Sequence, residues 1–178
     1  IIIADDHPIF RSGLAQLLSL EENIEIIGEA ENGEKALALI REILPDVAVL
    51  DIDMPEKGGF EVAKELKAEQ ISTEIIFLTM HKNETLFNAA LNIGAKGFVL
   101  KDSAMEDILN AVRTVSTGES FISQPLTKFL LKRPKPSVID SLTPSEKRIL
   151  LLIGEYKSSR EIAEKLFISV RTVERHRE

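Results

Sequence analysis

The sequence predicts a parallel α/β domain followed by a small all-helical domain. Three observations carry that reading. Over residues 1–118, short apolar runs alternate with segments of helical period, which is the pattern of βαβ units. Over residues 142–178, three short helical segments each begin at a hydroxyl residue, as N-caps require. The charge is also divided. Residues 1–118 hold 10 Lys and Arg against 21 Asp and Glu, a net of −11, whereas residues 119–178 hold 12 against 8, a net of +4. An acidic body with a basic tail points to polyanion binding by the tail alone.

The elements follow in order. Strands are expected at Ile1–Ile3, Ile24–Ile27, Val47–Leu50, Ile75–Leu78 and Gly97–Leu100. Their lack of polar alternation suits strands buried on both faces. Between them lie apolar stripes at Ile9, Leu14, Leu17 and Leu18, at Ala36, Leu37, Ile40 and Ile43, and at Phe60, Val62, Ala63 and Leu66. A fourth stripe is Leu86, Phe87, Ala90 and Leu91, and a fifth is Ile108, Leu109 and Val112. Asn32-Gly33 precedes the second helix, Pro45 closes it, Gly94 ends the fourth, and Ser103 to Glu106 reads as a capping box for the fifth. The result is a flavodoxin-like (βα)5 fold with sheet order 2-1-3-4-5.

The pattern breaks from Glu119 to Ser141. A short helix is expected from Ser123 through Leu131, and Lys132 to Ser137, with two prolines, reads as an exposed linker. The helices that follow are marked by Thr143-Pro144-Ser145-Glu146, by Ser158-Ser159-Arg160-Glu161, and by Ser169 ahead of Val170. The second and third are separated only by Phe167 to Ser169, as in a helix-turn-helix.

Composition excludes several classes. The chain has 178 residues, of which 44% are hydrophobic and 29% charged, enough for a real core. With no Cys there is no disulfide scaffold, Cys zinc site or Cys nucleophile. The longest apolar run, Ile149–Ile153, is far short of the ~18 residues a membrane span needs. With no signal peptide pattern either, a cytoplasmic protein with no membrane partner is expected. The chain opens on Ile1-Ile2-Ile3 without Met, so its first residues are expected to be missing.

In open parallel sheets, ligands bind outside the carboxyl ends of the strands. Asp5 and Asp6 follow strand one, Asp51 strand three, Thr79 strand four and Lys101 strand five. With order 2-1-3-4-5 these side chains converge on one rim. Three crowded carboxylates need a cation, and hard oxygen ligands suit Mg²⁺. A carboxylate can accept a phosphoryl group, provided its charge is offset as it does so. Lys101 supplies part of that offset, and the Thr79 hydroxyl can donate to a phosphoryl oxygen.

Ile3-Ala4-Asp5-Asp6-His7, Val49 to Pro55 with Gly58-Gly59, Leu78-Thr79 and Lys101 resemble the receiver domain of two-component response regulators. The resemblance covers residues 1–118. It implies that Asp51 is the phosphoacceptor. Asp6, Asp51 and the backbone carbonyl of Asp53 would bind Mg²⁺ directly, and Asp5 through water. Thr79 and Lys101 would hold the phosphoryl group, with Thr79 and Phe98 as the switch pair. Many relatives have Asn where this chain has Asp53. His7 is read as a loop residue beside the acidic pair, not a ligand, and His81 as an ordinary loop histidine.

The three helices share a small core of Ile149, Leu150, Leu152, Ile162, Ala163, Leu166, Val170 and Val173. A recognition helix reads base edges in the major groove. Leu142 to Glu146, Glu161-Ile162-Ala163 and Ser169 to His176 resemble the LuxR-type helix-turn-helix. With a receiver in front, the chain is similar to the NarL/FixJ subfamily. That resemblance assigns Glu174, Arg175 and Glu178 to bases and Arg171, Thr172, Arg177 and His176 to phosphates of double-stranded DNA. It also implies a fourth helix beyond Glu178, so the domain at 142–178 is expected to be truncated.

The expected function is a phosphorylation-activated transcriptional regulator, not a turnover enzyme. A sensor histidine kinase would supply the phosphoryl group. Thr79 would move toward it, Phe98 would rotate inward behind, and the protein would dimerise. Two rivals stand beside this. One is a phosphate-independent DNA-binding scaffold. The other is a haloacid-dehalogenase-type phosphatase, suggested by Asp51-Ile52-Asp53 but disfavoured by Met54-Pro55 after strand three. For the tail alone, a plain three-helix dimerisation module is the alternative.

Overall fold

The computed structural model describes residues 1–103, 105–132, 143–155 and 157–176. Six strands form one parallel sheet. They are β1 (Ile2–Ala4), β2 (Gly28–Ala30), β3 (Val47–Asp51), β4 (Glu74–Thr79), β5 (Gly97–Leu100) and β6 (Phe121–Ile122), in the order β2-β1-β3-β4-β5-β6. The first five follow the expected flavodoxin-like order, and β6 is additional. Helices α1 (Pro8–Leu18), α2 (Gly33–Ile43), α3 (Gly59–Ala68), α4 (Glu84–Ile93) and α5 (Met105–Ser116) alternate with the strands.

The period-two geometry of the strands builds two apolar layers. Ala48, Leu50, Ile75, Phe77, Phe98 and Leu100 face one way and pack with Ala36, Leu37 and Ile40 of α2, Val62, Ala63 and Leu66 of α3, and Phe87 and Ala90 of α4. Val47, Val49, Ile76, Leu78 and Val99 face the other way and meet Leu14 and Leu18 of α1 and Ile108, Ala111, Val112 and Val115 of α5. Sandwiched between helices, the central strands have no polar face to show, which is why their sequence reads as unbroken apolar runs.

Three expectations are corrected. Strand two lies at Gly28–Ala30, not Ile24–Ile27. Ile24 and Ile26 instead cover the α1–α5 layer ahead of the strand, and the register with β1 runs from Gly28. Ile9 is 90% exposed rather than part of the α1 stripe, because α1 buries Leu14 and Leu18. The compact unit continues to Lys132, past the break expected after residue 118. There, β6 pairs with β5. A 3-10 turn at Gln124–Leu126 then runs into α6 (Thr127–Lys132). Leu126 and Phe129 join the core, and the Phe129 ring lies 5.8 Å from that of Phe87. A two-residue strand is too short to leave a periodic signal.

The second unit spans Arg133–Glu178. Of the linker expected at Lys132–Ser137, Lys132 instead ends α6 and residues 133–137 lie outside the described residues, as do Leu142 and the Ala104 position of the expected capping box. The helices are α7 (Pro144–Gly154), α8 (Ser159–Leu166) and α9 (Val170–Arg175). Ile149, Leu152, Ile162, Ala163 and Val173 form their core. Leu150, 41% exposed, and Val170, 36% exposed, are not in it as expected. All three N-caps act as read. Thr143 and Ser158 hold capping boxes with Glu146 and Glu161, and the Ser169 hydroxyl accepts from the Thr172 N–H at 3.1 Å. Replacing Thr143 with Ala orphans the Glu146 N–H. The helical unit is expected to lose about 1 kcal/mol, read in chemical denaturation as an earlier transition of that unit alone.

Candidate functional site

Parallel register brings the expected rim together. Ala4 pairs with Leu50, Asp51 with Leu78 and Thr79 with Leu100. Backbone bonds continue past the strand ends. Asp5 N–H donates to Ala30 O (3.1 Å), Ile52 N–H to Leu78 O (3.0 Å) and Lys101 N–H to Thr79 O (2.9 Å). The side chains that follow are therefore fixed to the sheet rather than to free loops.

Lys101 is the centre of the pocket. Its Nζ lies 2.7 Å from both Asp5 Oδ2 and Asp51 Oδ2, and 5.1 Å from the centre of the Phe10 ring. Asp5 and Thr79 are fully buried, and Asp51 is nearly so. Burial pushes the Asp51 carboxyl up to about 6, against the opposing pull of Lys101. Burial also disfavours the charge on Lys101, but hydrogen bonds to Asp5 and Asp51 outweigh it and leave its pKa raised. At neutral pH the pocket therefore holds an ionised Asp51 carboxylate beside a fixed ammonium.

The remaining groups line the opening. Asp5 Oδ1 accepts from the His7 N–H at 2.9 Å, and the Asp5 carbonyl accepts from Arg11 at 2.5 Å. Asp51 Oδ1 accepts from the Asp53 N–H at 3.2 Å. The Thr79 hydroxyl accepts from the His81 N–H at 3.0 Å. His81 Nε2 lies 3.8 Å from the Asp53 carboxylate, and both side chains are exposed at the mouth. Asp6 Oδ1 is shut away from solvent, and apart from the His7 ring at 2.7 Å no donor among the described residues reaches it. Such an oxygen fits a cation. Asp5, Asp6, His7 and Asp51 each offer a ligand atom within 4.8 Å of the others.

Phe98 is 1% exposed, edge-on to Phe87 (5.5 Å) and Phe77 (6.5 Å). Residues that sequence reasoning missed are Phe10, Arg11 and Ser123. Ser123 is buried. Its N–H donates to Phe98 O at 3.1 Å, and its hydroxyl accepts from the Leu100 N–H at 3.3 Å, next to Lys101. Arg11 stands six residues after Asp5, one helical turn into α1, which is the only signal the sequence offered for it.

On the helical unit, Arg171, Glu174 and Arg175 of α9 are exposed together. The Thr172 hydroxyl is 2.7 Å from the Ser169 hydroxyl, so it is shared with the cap. His176 Nδ1 turns back to Glu146 at 3.7 Å and is the least available of the expected contacts. Arg177 and Glu178 lie outside the described residues.

A carboxylate and lysine pocket at the edge of a doubly wound sheet, carried in one chain with a helix-turn-helix, defines a regulator that couples phosphoryl chemistry to DNA binding. The response regulator receiver domain family matches residues 1–113, and the luxR family of bacterial regulatory proteins matches residues 140–178. The nitrate/nitrite response regulator protein NarL of Escherichia coli K12 is 35% identical over 182 residues, covering 99% of this chain and 84% of NarL. A receiver domain of the putative response regulator NarL of Mycobacterium tuberculosis superposes with a TM-score of 0.64 at 39% identity, covering 66% of this chain and 95% of that one. The response regulator RcsB in complex with DNA superposes with a TM-score of 0.68 at 30% identity, covering 98% and 86%. The chain belongs to the NarL/FixJ subfamily of two-component response regulators. It is a phosphorylation-dependent transcriptional regulator. Its receiver family carries Mg²⁺ at an acidic pocket, and no helix among the described residues is long and apolar enough to cross a membrane.

Proposed function

We propose that Asp51 is the phosphoacceptor. The observation that supports this most strongly is the pairing of Asp51 Oδ2 with Lys101 Nζ at 2.7 Å inside a buried rim. An Asp51 carboxylate oxygen forms a P–O bond as the P–N bond of a kinase phosphohistidine breaks, and the imidazole leaves. Lys101 offsets charge on the phosphoryl oxygens. Thr79, whose oxygen already accepts from His81 N–H, has its hydroxyl hydrogen left to donate to one of them. Asp6, Asp51 and the Asp53 carbonyl would hold Mg²⁺, with Asp5 acting through water. When bound, that ion neutralises the carboxylates and phosphoryl oxygens. Water attack on the acyl phosphate would return the free carboxylate, so the receiver also limits its own signal, in the cytoplasm.

Phosphorylation then acts on the tail. Ser123 ties β6 to the backbone beside Lys101, and Phe129 of α6 lies against Phe87, the neighbour of Phe98. A movement of Thr79 and the α4 side of the core would therefore reach α6 and the segment that follows it. The phosphorylated protein would dimerise on double-stranded DNA, with Arg171 and Arg175 to phosphates and bases and Glu174 to base edges.

The deciding experiment is intact mass after incubation with acetyl phosphate. One phosphoryl group is expected with Mg²⁺ and none with excess chelator. No gain under any donor would favour the phosphate-independent scaffold. Mg²⁺ is also expected to raise the receiver's melting temperature. The stabilisation is about 1.4 kcal/mol at ten times the dissociation constant, and Asp6→Asn is expected to remove most of it.

A further inference from the structure

One imidazole at the pocket has no part in the phosphoryl transfer. His7 follows Asp6 directly, and its Nδ1 lies 2.7 Å from Asp6 Oδ1 and 3.3 Å from Asp5 Oδ1. We propose that His7 is a metal ligand of this pocket, and that it shifts the pocket's preference from Mg²⁺ toward divalent transition ions such as Co²⁺. The proposal rests on the reading of the pocket as a divalent-cation site.

The distances fit a shared ion. Ligand bonds of about 2.1 Å at right angles place neighbouring donor atoms about 3 Å apart, close to the 2.7 Å between His7 Nδ1 and Asp6 Oδ1. Asp51 brings a further oxygen within the same 4.8 Å sphere.

The chain holds the ring at the pocket. The His7 N–H donates to Asp5 Oδ1, which fixes its backbone beside the carboxylates. His7 is the N-cap of α1 in extended conformation, but its side chain makes no capping bond, and Pro8 follows. The imidazole is thus spent on neither the helix nor the core. At 66% exposure it stands at the open edge, where an entering ion meets it. Asp6 Oδ1, shut from solvent, has the His7 ring as its one nearby basic partner among the described residues.

The consequence is chemical selectivity. Carboxylate, carbonyl and water sets suit Mg²⁺ and Mn²⁺, whereas imidazole adds affinity for later transition ions. Any oxygen site already favours Co²⁺ over Mg²⁺ to some degree, so the informative quantity is how far that preference depends on His7.

The test is paired titration of the whole chain with Mg²⁺ and with Co²⁺, following calorimetry and the Co²⁺ visible spectrum, for the parent and His7→Ala. The ratio of Co²⁺ to Mg²⁺ affinity is expected to fall about tenfold or more in the variant. An unchanged ratio overturns the proposal, including the case in which both affinities fall together because His7 merely orients Asp6. A second measurement uses Zn²⁺ and imidazole ¹⁵N resonances. The His7 Nδ1 signal should move while those of His81 and His176 stay, and a stationary His7 signal also overturns the proposal. If the parent binds neither ion, the divalent-cation reading itself fails, and loss of Mg²⁺-dependent phosphoryl gain would accompany it.

Discussion

Asp51→Asn is expected to take up no phosphoryl group from any donor, while the parent takes up one. The amide lacks the anionic oxygen that must attack phosphorus, and Asp5, the other described carboxylate on Lys101, is fully buried with its Oδ1 tied to the His7 N–H. DNA affinity of the variant should stay at the parent's unphosphorylated level and should not respond to acetyl phosphate. Intact mass and mobility shift read the two effects separately. Full phosphate-dependent DNA binding in the variant would sink the assignment.

The same substitution should make the protein more stable at neutral pH. Folding raises the Asp51 carboxyl from an ordinary 3.8 to about 6, chiefly through burial. The folded state therefore keeps its proton to higher pH than the unfolded state does. Stability contributed by this group is present below about pH 4 and is lost as pH rises through 6. A tenfold difference in proton affinity is worth about 1.4 kcal/mol, so the penalty at pH 7 is up to about 3 kcal/mol. Asn carries no such penalty, and Lys101 keeps Asp5 as its partner. The expected signature is a variant that melts higher than the parent at pH 7, with the gap closing below pH 4. Stability is thus given up to keep an ionised Asp51 in the pocket, a trade common at functional sites.

The strand-end rim was legible in the sequence because the register of a parallel sheet does the placing. Once β1, β3, β4 and β5 are neighbours, Asp5, Asp51, Thr79 and Lys101 have nowhere else to stand. The caps were legible because Thr143, Ser158 and Ser169 satisfy local N–H groups and need no distant partner. What stayed hidden depends on distant partners. Ser123 acquires meaning only through the free N–H of Leu100, twenty-three residues away in sequence. Ile24 and Ile26 look like a strand, but a lead-in covering the core has the same apolar content. The contact of the His7 ring with Asp6 depends on how the chain turns after β1, which no spacing rule encodes.

Gly59→Ala is expected to damage both stability and phosphoryl acceptance. Gly59 opens α3, and its N–H donates to Ile52 O at 3.1 Å. A Cβ there would sit 2.4 Å from the carbonyl oxygen of Asp51 and 3.1 Å from its carbonyl carbon. That oxygen is backbone at the end of a central strand, so the clash cannot be relieved by a side-chain rotation. Either α3 retreats from its layer, opening space around Val62, Ala63 and Leu66, or the end of β3 shifts. The first route costs core packing, about 1–3 kcal/mol. The second moves Asp51 relative to Lys101, and a displacement approaching 1 Å can slow a positioned reaction by ~100-fold. Gly13→Ala serves as the control. Gly13 lies within α1, where the added Cβ meets only Met105 Cε at 3.8 Å, an ordinary contact. There the same substitution should stabilise by about 0.5–1 kcal/mol through helix propensity. Opposite signs from one chemical change would show that Gly59 is needed for close approach to the backbone of Asp51. A Gly59→Ala protein with parental melting and parental labelling rate would show that β3 and α3 can separate without disturbing Asp51.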